Sequence, residues 1–107
     1  MEYTNTSTAR ENKQDTGFCL RVVRRSGGEA QTVTVACDSV RLFARDGANG
    51  WGGGCLGIRR GHVPAIIALG NHPVVALLRG QTVLETPVSG GIAVVEAGGH
   101  TVTVYPD

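Results

Sequence analysis

The chain has 107 residues, enough for one compact domain but too few for two. It contains 16 glycines, one Met and 18% charged residues, a composition that favours short strands joined by turns and excludes an all-helical bundle. A net charge of +1 gives no field strong enough to gather nucleic acid or an anionic membrane. No apolar run reaches the roughly 20 residues that span a bilayer, so we expect a soluble, cytoplasmic protein without direct membrane insertion.

The amino-terminal segment, residues 1–16, differs sharply in composition from the rest of the chain. Its only apolar residues are Met1, Tyr3 and Ala9, so it offers no face that packing could order. We therefore predict a disordered polar tail over residues 1–16 and a single folded domain over residues 17–107.

The predicted strands follow one another from Phe18 onwards, and most are separated by turns that contain glycine. In the first strand, Phe18, Leu20 and Val22 fall on one side, which is typical of a half-buried strand. Eight or nine strands at this spacing indicate an all-β fold, and we predict a two-sheet antiparallel β-sandwich of short strands. The later strands are expected at residues 55–59, 63–69, 73–78, 82–88, 92–96 and 100–105.

The alternation of apolar residues changes phase in the first half of the chain. Val35 and Cys37 are odd-numbered, whereas Val40 and Leu42 are even-numbered. Because a shift of one residue exchanges the two faces of a strand, we expect a bulge or a sharp bend at residues 38–39 if both halves share one core.

Residues 46–54, called the glycine loop below, read DGANGWGGG and place five glycines around Trp51. Such a stretch loses too much entropy as a strand or helix interior, so we predict a surface loop. A phosphate-binding loop would need a Gly-Lys-Ser/Thr sequence and a helix after the glycines, and neither follows here.

The residues that could carry chemistry do not form a recognisable catalytic or metal-binding pattern. Cys19, Cys37 and Cys55 are an odd number without a Cys-x-x-Cys pair, so we expect buried small hydrophobic side chains in a reducing compartment. Neither Ser39 nor Ser89 lies in a nucleophile elbow. We therefore predict no catalytic residue and no cofactor.

The three histidines, His62, His72 and His100, lack the close spacing of paired metal ligands. They are interpreted as histidines of turns or of the surface, and no metal site is predicted. A small metal-dependent barrel enzyme that uses these three imidazoles remains as a third and least favoured functional hypothesis.

Several stretches, taken in chain order, resemble the amino-terminal domain of the epsilon subunit of F-type ATP synthases. Residues 39–42, SVRL, are similar to the SVTL of that family and are followed by a glycine loop. Residues 61–69, GHVPAIIAL, resemble its GHAPLLTAL. Residues 87–96 and 100–104 resemble its AVSGGFLEV and KVTVL stretches, so the match is collinear over residues 18–107.

The resemblance implies a β-sandwich low on the central stalk, where it holds a gamma-type subunit and rests on the polar loops of the membrane rotor ring. The protein would then lie peripherally at the inner face of the cell membrane, as part of a complex. In that family the glycine loop and the Gly-His turn face the ring. Carried over to this sequence, the implied ring-contact residues are Asp46, Gly47, Asn49, Gly50, Gly61 and His62.

Four features depart from the family pattern. The glycine loop is longer than usual, and Asp46-Gly47 stands where the family has Glu-Gly. Arg60 stands where the family has Pro before Gly-His. The chain ends at Asp107, where the family continues into two helices that inhibit hydrolysis and sense nucleotide, so we expect coupling of rotation without that regulation.

Two functional hypotheses from different classes follow. The first is a non-catalytic central-stalk (rotor) subunit of an F-type ATP synthase that links a gamma-type shaft to the membrane rotor ring. The second is a free-standing β-sandwich protein-binding module that derives from that domain and no longer belongs to a synthase. The long glycine loop around Trp51 favours the second hypothesis.

Overall fold

The structure, a computed structural model, describes residues 16–45, 47 and 53–107. These residues contain nine β-strands and no helix, which confirms the predicted all-β fold. The strands are β1 (Cys19–Ser26), β2 (Glu29–Ala36), β3 (Ser39–Ala44), β4 (Gly54–Arg59), β5 (Ala65–Ala68), β6 (Val74–Leu78), β7 (Gln81–Thr86), β8 (Gly91–Val95) and β9 (Thr101–Pro106). In the described part of the chain, no helix has the length and apolar character needed to cross a membrane.

The strands form two sheets with the core between them, so the predicted two-sheet sandwich is confirmed. The five-stranded sheet has the order β2-β1-β9-β8-β5, and the four-stranded sheet has the order β4-β3-β6-β7. All neighbouring strands are antiparallel except β1 and β9, which pair in parallel from Cys19↔Thr101 to Val22↔Val104. The prediction of antiparallel pairing therefore needs correction for this one pair. The sequence pattern cannot distinguish parallel from antiparallel pairing, because side chains alternate with a period of two in both.

The core is built from alternate residues of the strands. In β1, Leu20 and Val22 are 0% and 3% exposed, whereas Arg21 and Val23, which alternate with them along the strand, are only half-buried. Other large side chains with less than 2% exposure are Val40, Leu42, Ile58, Leu69, Val74, Val95, Val102 and Val104. Valine and leucine thus fill most of the space between the sheets.

The chain crosses from one sheet to the other between β2 and β3, at the position of the predicted phase change. The backbone bends at Asp38, whose N–H donates to the carbonyl oxygen of Leu77 at 2.9 Å. The Asp38 carboxylate accepts the N–H of Arg79 at 2.8 Å. The predicted sharp bend is therefore confirmed, and it lets Cys37 and Val40 enter the same core.

The predicted tail, residues 1–16, lies outside the described residues except for Thr16. The Thr16 hydroxyl lies within hydrogen-bonding distance of the carbonyl oxygens of Phe18, at 3.0 Å, and of Cys37. Arg60 Nη1 donates to the Thr16 carbonyl oxygen at 3.4 Å. Thr16 thus packs with the sandwich.

Candidate functional site

The Gly-His corner, residues 60–62, carries the chain from the end of β4 towards β5. The N–H of Gly61 donates to the carbonyl oxygen of Gly99 at 2.9 Å, and the N–H of His62 donates to that of Arg59 at 3.1 Å. A Cβ atom on Gly99 would lie 2.7 to 2.9 Å from backbone atoms of Gly61, and Gly99 has a φ of +68°. Residue 99 must therefore be glycine for this close approach, which holds the corner against the β8–β9 turn.

Two histidines at this end contact backbone carbonyl groups. His62 Nδ1 lies 2.7 Å from the carbonyl oxygen of Val63, and His100 Nδ1 lies 3.2 Å from that of Gly17. Because a carbonyl oxygen can only accept a hydrogen bond, both rings carry a proton on Nδ1 in this arrangement. When the ring is neutral, Nε2 is then the acceptor available to an incoming partner.

The glycine loop joins β3 to β4 at the other end of the sandwich. Of the four ring-contact residues predicted there, Asp46, Asn49 and Gly50 lie outside the described residues. Gly47 is exposed, with a φ of +83° and no described atom within 4 Å of a Cβ built on it.

The predicted ring-contact residues divide between the two ends of β4. Gly47 precedes β4, whereas Gly61 and His62 follow it. A six-residue strand is roughly 20 Å long at about 3.3 Å per residue. The structure thus brings Gly61 and His62 together and places Gly47 at the opposite end of the strand.

An apolar surface covers part of the outer side of the five-stranded sheet. We call this surface the apolar face and define it by Ile66, Ile92, Val94 and Tyr105. Ile66 pairs with Val94 and Ile92 pairs with Tyr105, so the four side chains lie in two adjacent rows across β5, β8 and β9. Ile66 is 67% exposed, and Val63 beside β5 is 70% exposed. Such a surface is typical of a protein-docking site.

The sequence led us to expect apolar packing on one face of the sandwich but did not locate that face, although a signal for it was present. Residues 63–69 and 92–95 are apolar at nearly every position instead of alternating with polar residues. Runs of this kind indicate strands that are covered on both faces. Within the described residues, the inner side chains Ile67 and Ala93 are buried and the outer side chains Ile66 and Ile92 are not.

A polar cluster borders the apolar face. The Thr103 hydroxyl, on a side chain that is 1% exposed, donates to Glu96 Oε2. Arg21 Nη1 lies 3.8 Å from the same carboxylate oxygen. Because the Arg21 and Glu96 side chains are each about two-fifths exposed, this pair adds little stability.

The cysteines differ in their surroundings, and the prediction that all three are buried is wrong for two of them. Cys37 is buried, Cys19 is intermediate and Cys55 is exposed; all three are free. Burial, together with nearby Cys19 and Asp38, raises the pKa of Cys37 to about 12. Cys55 is exposed because it lies on the outer side of β4, an edge strand, out of phase with buried Ile58.

The three histidines all lie in turns or loops, as predicted. His62 and His100 lie at the Gly-His end, whereas His72 lies at the glycine-loop end, where its ring centroid is 4.5 Å from that of Phe43. Among the described residues, no three His, Cys, Asp or Glu side chains come close enough to hold a metal ion. Nor does a described hydrogen bond join Ser89 to His72, although both border one hollow.

Comparison with known proteins identifies a related fold but no family. No family model matches the sequence, and no curated protein matches it significantly. A chain in the cryo-EM structure of the Tetrahymena thermophila mitochondrial ATP synthase central stalk and c-ring is similar to this one, with a TM-score of 0.54 and 12% sequence identity. The similarity covers 81% of this chain and 62% of that chain, so this chain spans less than two thirds of the other's length. The two chains therefore share a fold.

Proposed function

We propose that this chain is a non-catalytic central-stalk subunit of an F-type ATP synthase, linking a gamma-type shaft to the membrane rotor ring. One observation carries the proposal: a sandwich with the fold of a chain from a central stalk and c-ring assembly has an apolar face that its described residues leave uncovered. In this role the protein lies peripherally at the inner face of the cell membrane and has no catalytic site of its own.

The apolar face is the surface that contacts the gamma-type shaft. Ile66, Ile92 and Tyr105 are each at least 40% exposed, and burying them against a partner removes apolar area from water. The adjoining Glu96 carboxylate, held by Thr103, gives the interface a fixed polar contact at one border. Apolar contacts then supply affinity, and the polar contact favours one orientation.

The rigidity of the sandwich suits the transmission of torque. At the glycine-loop end, the N–H of Gly70 donates to the carbonyl oxygen of Phe43 at 2.9 Å, and the N–H of Arg45 donates to that of Ala68 at 2.8 Å. These bonds join segments of different sheets, as the Gly61 to Gly99 bond joins the corner to the β8–β9 turn at the other end. Because these hydrogen bonds join the two sheets, torque from the shaft would deform the sandwich little.

The rotor-ring contact is proposed at the glycine loop and the Gly-His corner. Because Gly47 and Gly61 lie at opposite ends of β4, a ring surface that touches both must run along this edge strand. A ring surface that touches one end alone would contact either the glycine loop or the corner. The residues proposed are Asp46, Gly47, Asn49, Gly50, Gly61 and His62.

Co-purification tests the proposal directly. The tagged chain is expressed with the gamma and ring subunits of the same synthase, and we expect both to be recovered with it. Ile66→Glu should lower recovery of gamma at least about tenfold, because it places a charge at the centre of the contact. Val83→Glu is the matched control, since Val83 is 39% exposed on the other sheet and should leave recovery unchanged.

A free-standing protein-binding module is the second candidate function. It is favoured by the 12% identity to the stalk chain and by Arg60, which stands where the resembling family has Pro. An intact synthase purified from the same cells without this chain would reject the stalk role. Capture of a different protein that Ile66→Glu releases would then support the binding module.

A further inference from the structure

The two sheets have four edge strands: β2 and β5 in the larger sheet, and β4 and β7 in the smaller one. An edge strand presents unpaired backbone groups that can bind another strand, and proteins usually protect such edges with charge, proline, bulges or short length. The four edges of this sandwich differ in that protection.

Three edges carry a protective feature. Strand β5 has four residues and follows Pro64. Strand β7 contains Glu85, and its pairing with β6 shifts register between Ala76 and Leu77. Strand β4 contains Gly57 and ends at Arg59. Each feature disfavours the addition of a further regular strand at that edge.

Strand β2 has a charge only at its first residue, Glu29, and no protective feature after it. It pairs with β1 over eight consecutive residues, from Cys19↔Ala36 to Ser26↔Glu29, without a register shift. Residues 30–36, AQTVTVA, contain no charge, proline or glycine. Five of the eight residues are exposed, and alternating Thr and Val favour a regular strand. This edge is therefore the most open to strand addition.

The inner side of β2 is also poorly covered. Val33 points towards the smaller sheet, as its β1 partner Val22 does, yet it is 43% exposed. A mostly apolar gap of about 70 Å³ lies between β2 and β7 and is lined by Val22, Arg24, Gln31, Val33, Leu84 and Thr86. A strand beside β2 would bring an apolar side chain next to this gap.

We propose that β2 pairs antiparallel with β2 of a second copy, so that the two five-stranded sheets become one sheet of ten strands. The sequence of β2 is self-complementary: when Val33 lies opposite Val33 of the second copy, Thr32 lies opposite Thr34 and no charges oppose each other. Valine pairs and threonine pairs both stabilise neighbouring strands. A two-fold axis at Val33 makes the contact closed, so it stops at the dimer.

We choose a second copy over another partner because the sequence of β2 is complementary to itself about Val33. The gaps beside the two Val33 side chains would join across the axis into one apolar row that includes Leu84 of each copy. The proposal does not depend on the stalk function, because β2 lies at the opposite edge of the larger sheet from β5 of the apolar face.

Sedimentation of the isolated full-length chain tests the dimer. We expect the weight-average mass to rise from that of a monomer towards that of a dimer as the concentration increases from about 1 μM to about 1 mM, the range of a weak, small interface. Hydrogen exchange should slow over the same range for the β2 amides that point away from β1. A monomer at every concentration overturns the proposal. Slow exchange of these outward-pointing amides in the monomer also overturns it, because the chain's own residues would then cover the edge.

Thr32→Lys and Thr82→Lys form a matched pair of variants. Both add one positive charge at an exposed threonine of an edge strand, on β2 and β7 respectively. Thr32→Lys should weaken dimerisation about tenfold or more, because two lysines then flank the Val33 pair, whereas Thr82→Lys should change it less than about twofold. Unfolding curves at low concentration confirm that both variants fold. Equal effects of the two changes would place the contact elsewhere and overturn the proposal.

Discussion

The two ends of the sandwich are both rich in glycine, but they use it differently. At the Gly-His end, a Cβ on Gly99 would overlap backbone atoms of Gly61, so the glycine is obligatory. At the glycine-loop end, a Cβ on Gly91 would overlap the carbonyl oxygen of Tyr105 on the neighbouring strand β9 of the same sheet, whereas Cβ atoms on Gly47 and Gly54 would meet no described atom within 4 Å. Each end also has its own cysteine: Cys37 is buried near the first, and Cys55 is exposed near the second. Glycine content alone therefore does not reveal which end is tightly packed.

Thiol alkylation should reveal the largest difference between the ends. Cys55 is exposed, whereas Cys37 has 0% exposure and a pKa raised to about 12 by burial and by Cys19 and Asp38. The rise of the Cys37 pKa from 9.0 to about 12 lowers its own thiolate fraction about a thousandfold, and burial also blocks access, so Cys37 should react with iodoacetamide far more slowly than the exposed Cys55. Mass spectrometry of a time course measures both rates. Similar rates would mean that the Gly-His end opens readily.

Gly99→Ala should strongly destabilise the Gly-His end. The added methyl group would lie 2.7 Å from Gly61 Cα at a φ of +68°, and we expect a loss of about 3 kcal/mol in the free energy of unfolding. Urea unfolding measures the loss, and alkylation of Cys37 should accelerate in parallel. Gly57→Ala is the control, because that strand residue has open space and should gain about 0.5 kcal/mol. A loss below about 1 kcal/mol for Gly99→Ala would contradict the close contact.

Alkaline pH should weaken the fold through Cys37. The pKa of this thiol rises from 9.0 to about 12 on burial, so between these values the unfolded chain has lost a proton that the folded chain retains. The free energy of unfolding should then fall with increasing pH by up to about 1.4 kcal/mol per pH unit. Comparing the slopes of the natural chain and Cys37→Ala isolates this contribution. Identical slopes would show that Cys37 does not carry it.

Alanine at Gly47 and at Gly61 should have the smallest effects. Their φ values are +83° and +88°, and neither Cβ would meet a described atom within 4 Å, so only backbone strain opposes the substitution. Each variant should lose about 1 kcal/mol, measured as a shift in the midpoint of thermal unfolding. A loss of stability for Gly61→Ala as large as that for Gly99→Ala would contradict the expectation that, of these two residues, only residue 99 must be glycine.

The positions of the strands were predictable because their signal is local. Phe18, Leu20 and Val22 alternate with less apolar residues and are all buried. The change of phase before Val40 predicted the bend at Asp38, since residues on one face of a strand must be two apart. The ends of β4 to β9 fall within two residues of their predicted positions.

The candidate site was less predictable, because its parts come from distant segments. The apolar face needs the pairings Ile66↔Val94 and Ile92↔Tyr105, and the residues of each pair are far apart in the chain or separated by a turn. The exposure of Cys55 depends on β4 being an edge strand. The distance between Gly47 and Gly61 depends on β4 being extended between them.

The amino-acid sequence by itself determined where the strands lie and which side of most of them faces inward, because both follow from residues two positions apart. The tertiary structure decided which strands are neighbours, including the parallel pair β1 and β9, and which outer faces stay uncovered. It also decided that Gly99 must be glycine, because Gly61 approaches it from another part of the chain. Contacts of this kind depend on how distant segments pack, and local periodicity carries no record of that packing.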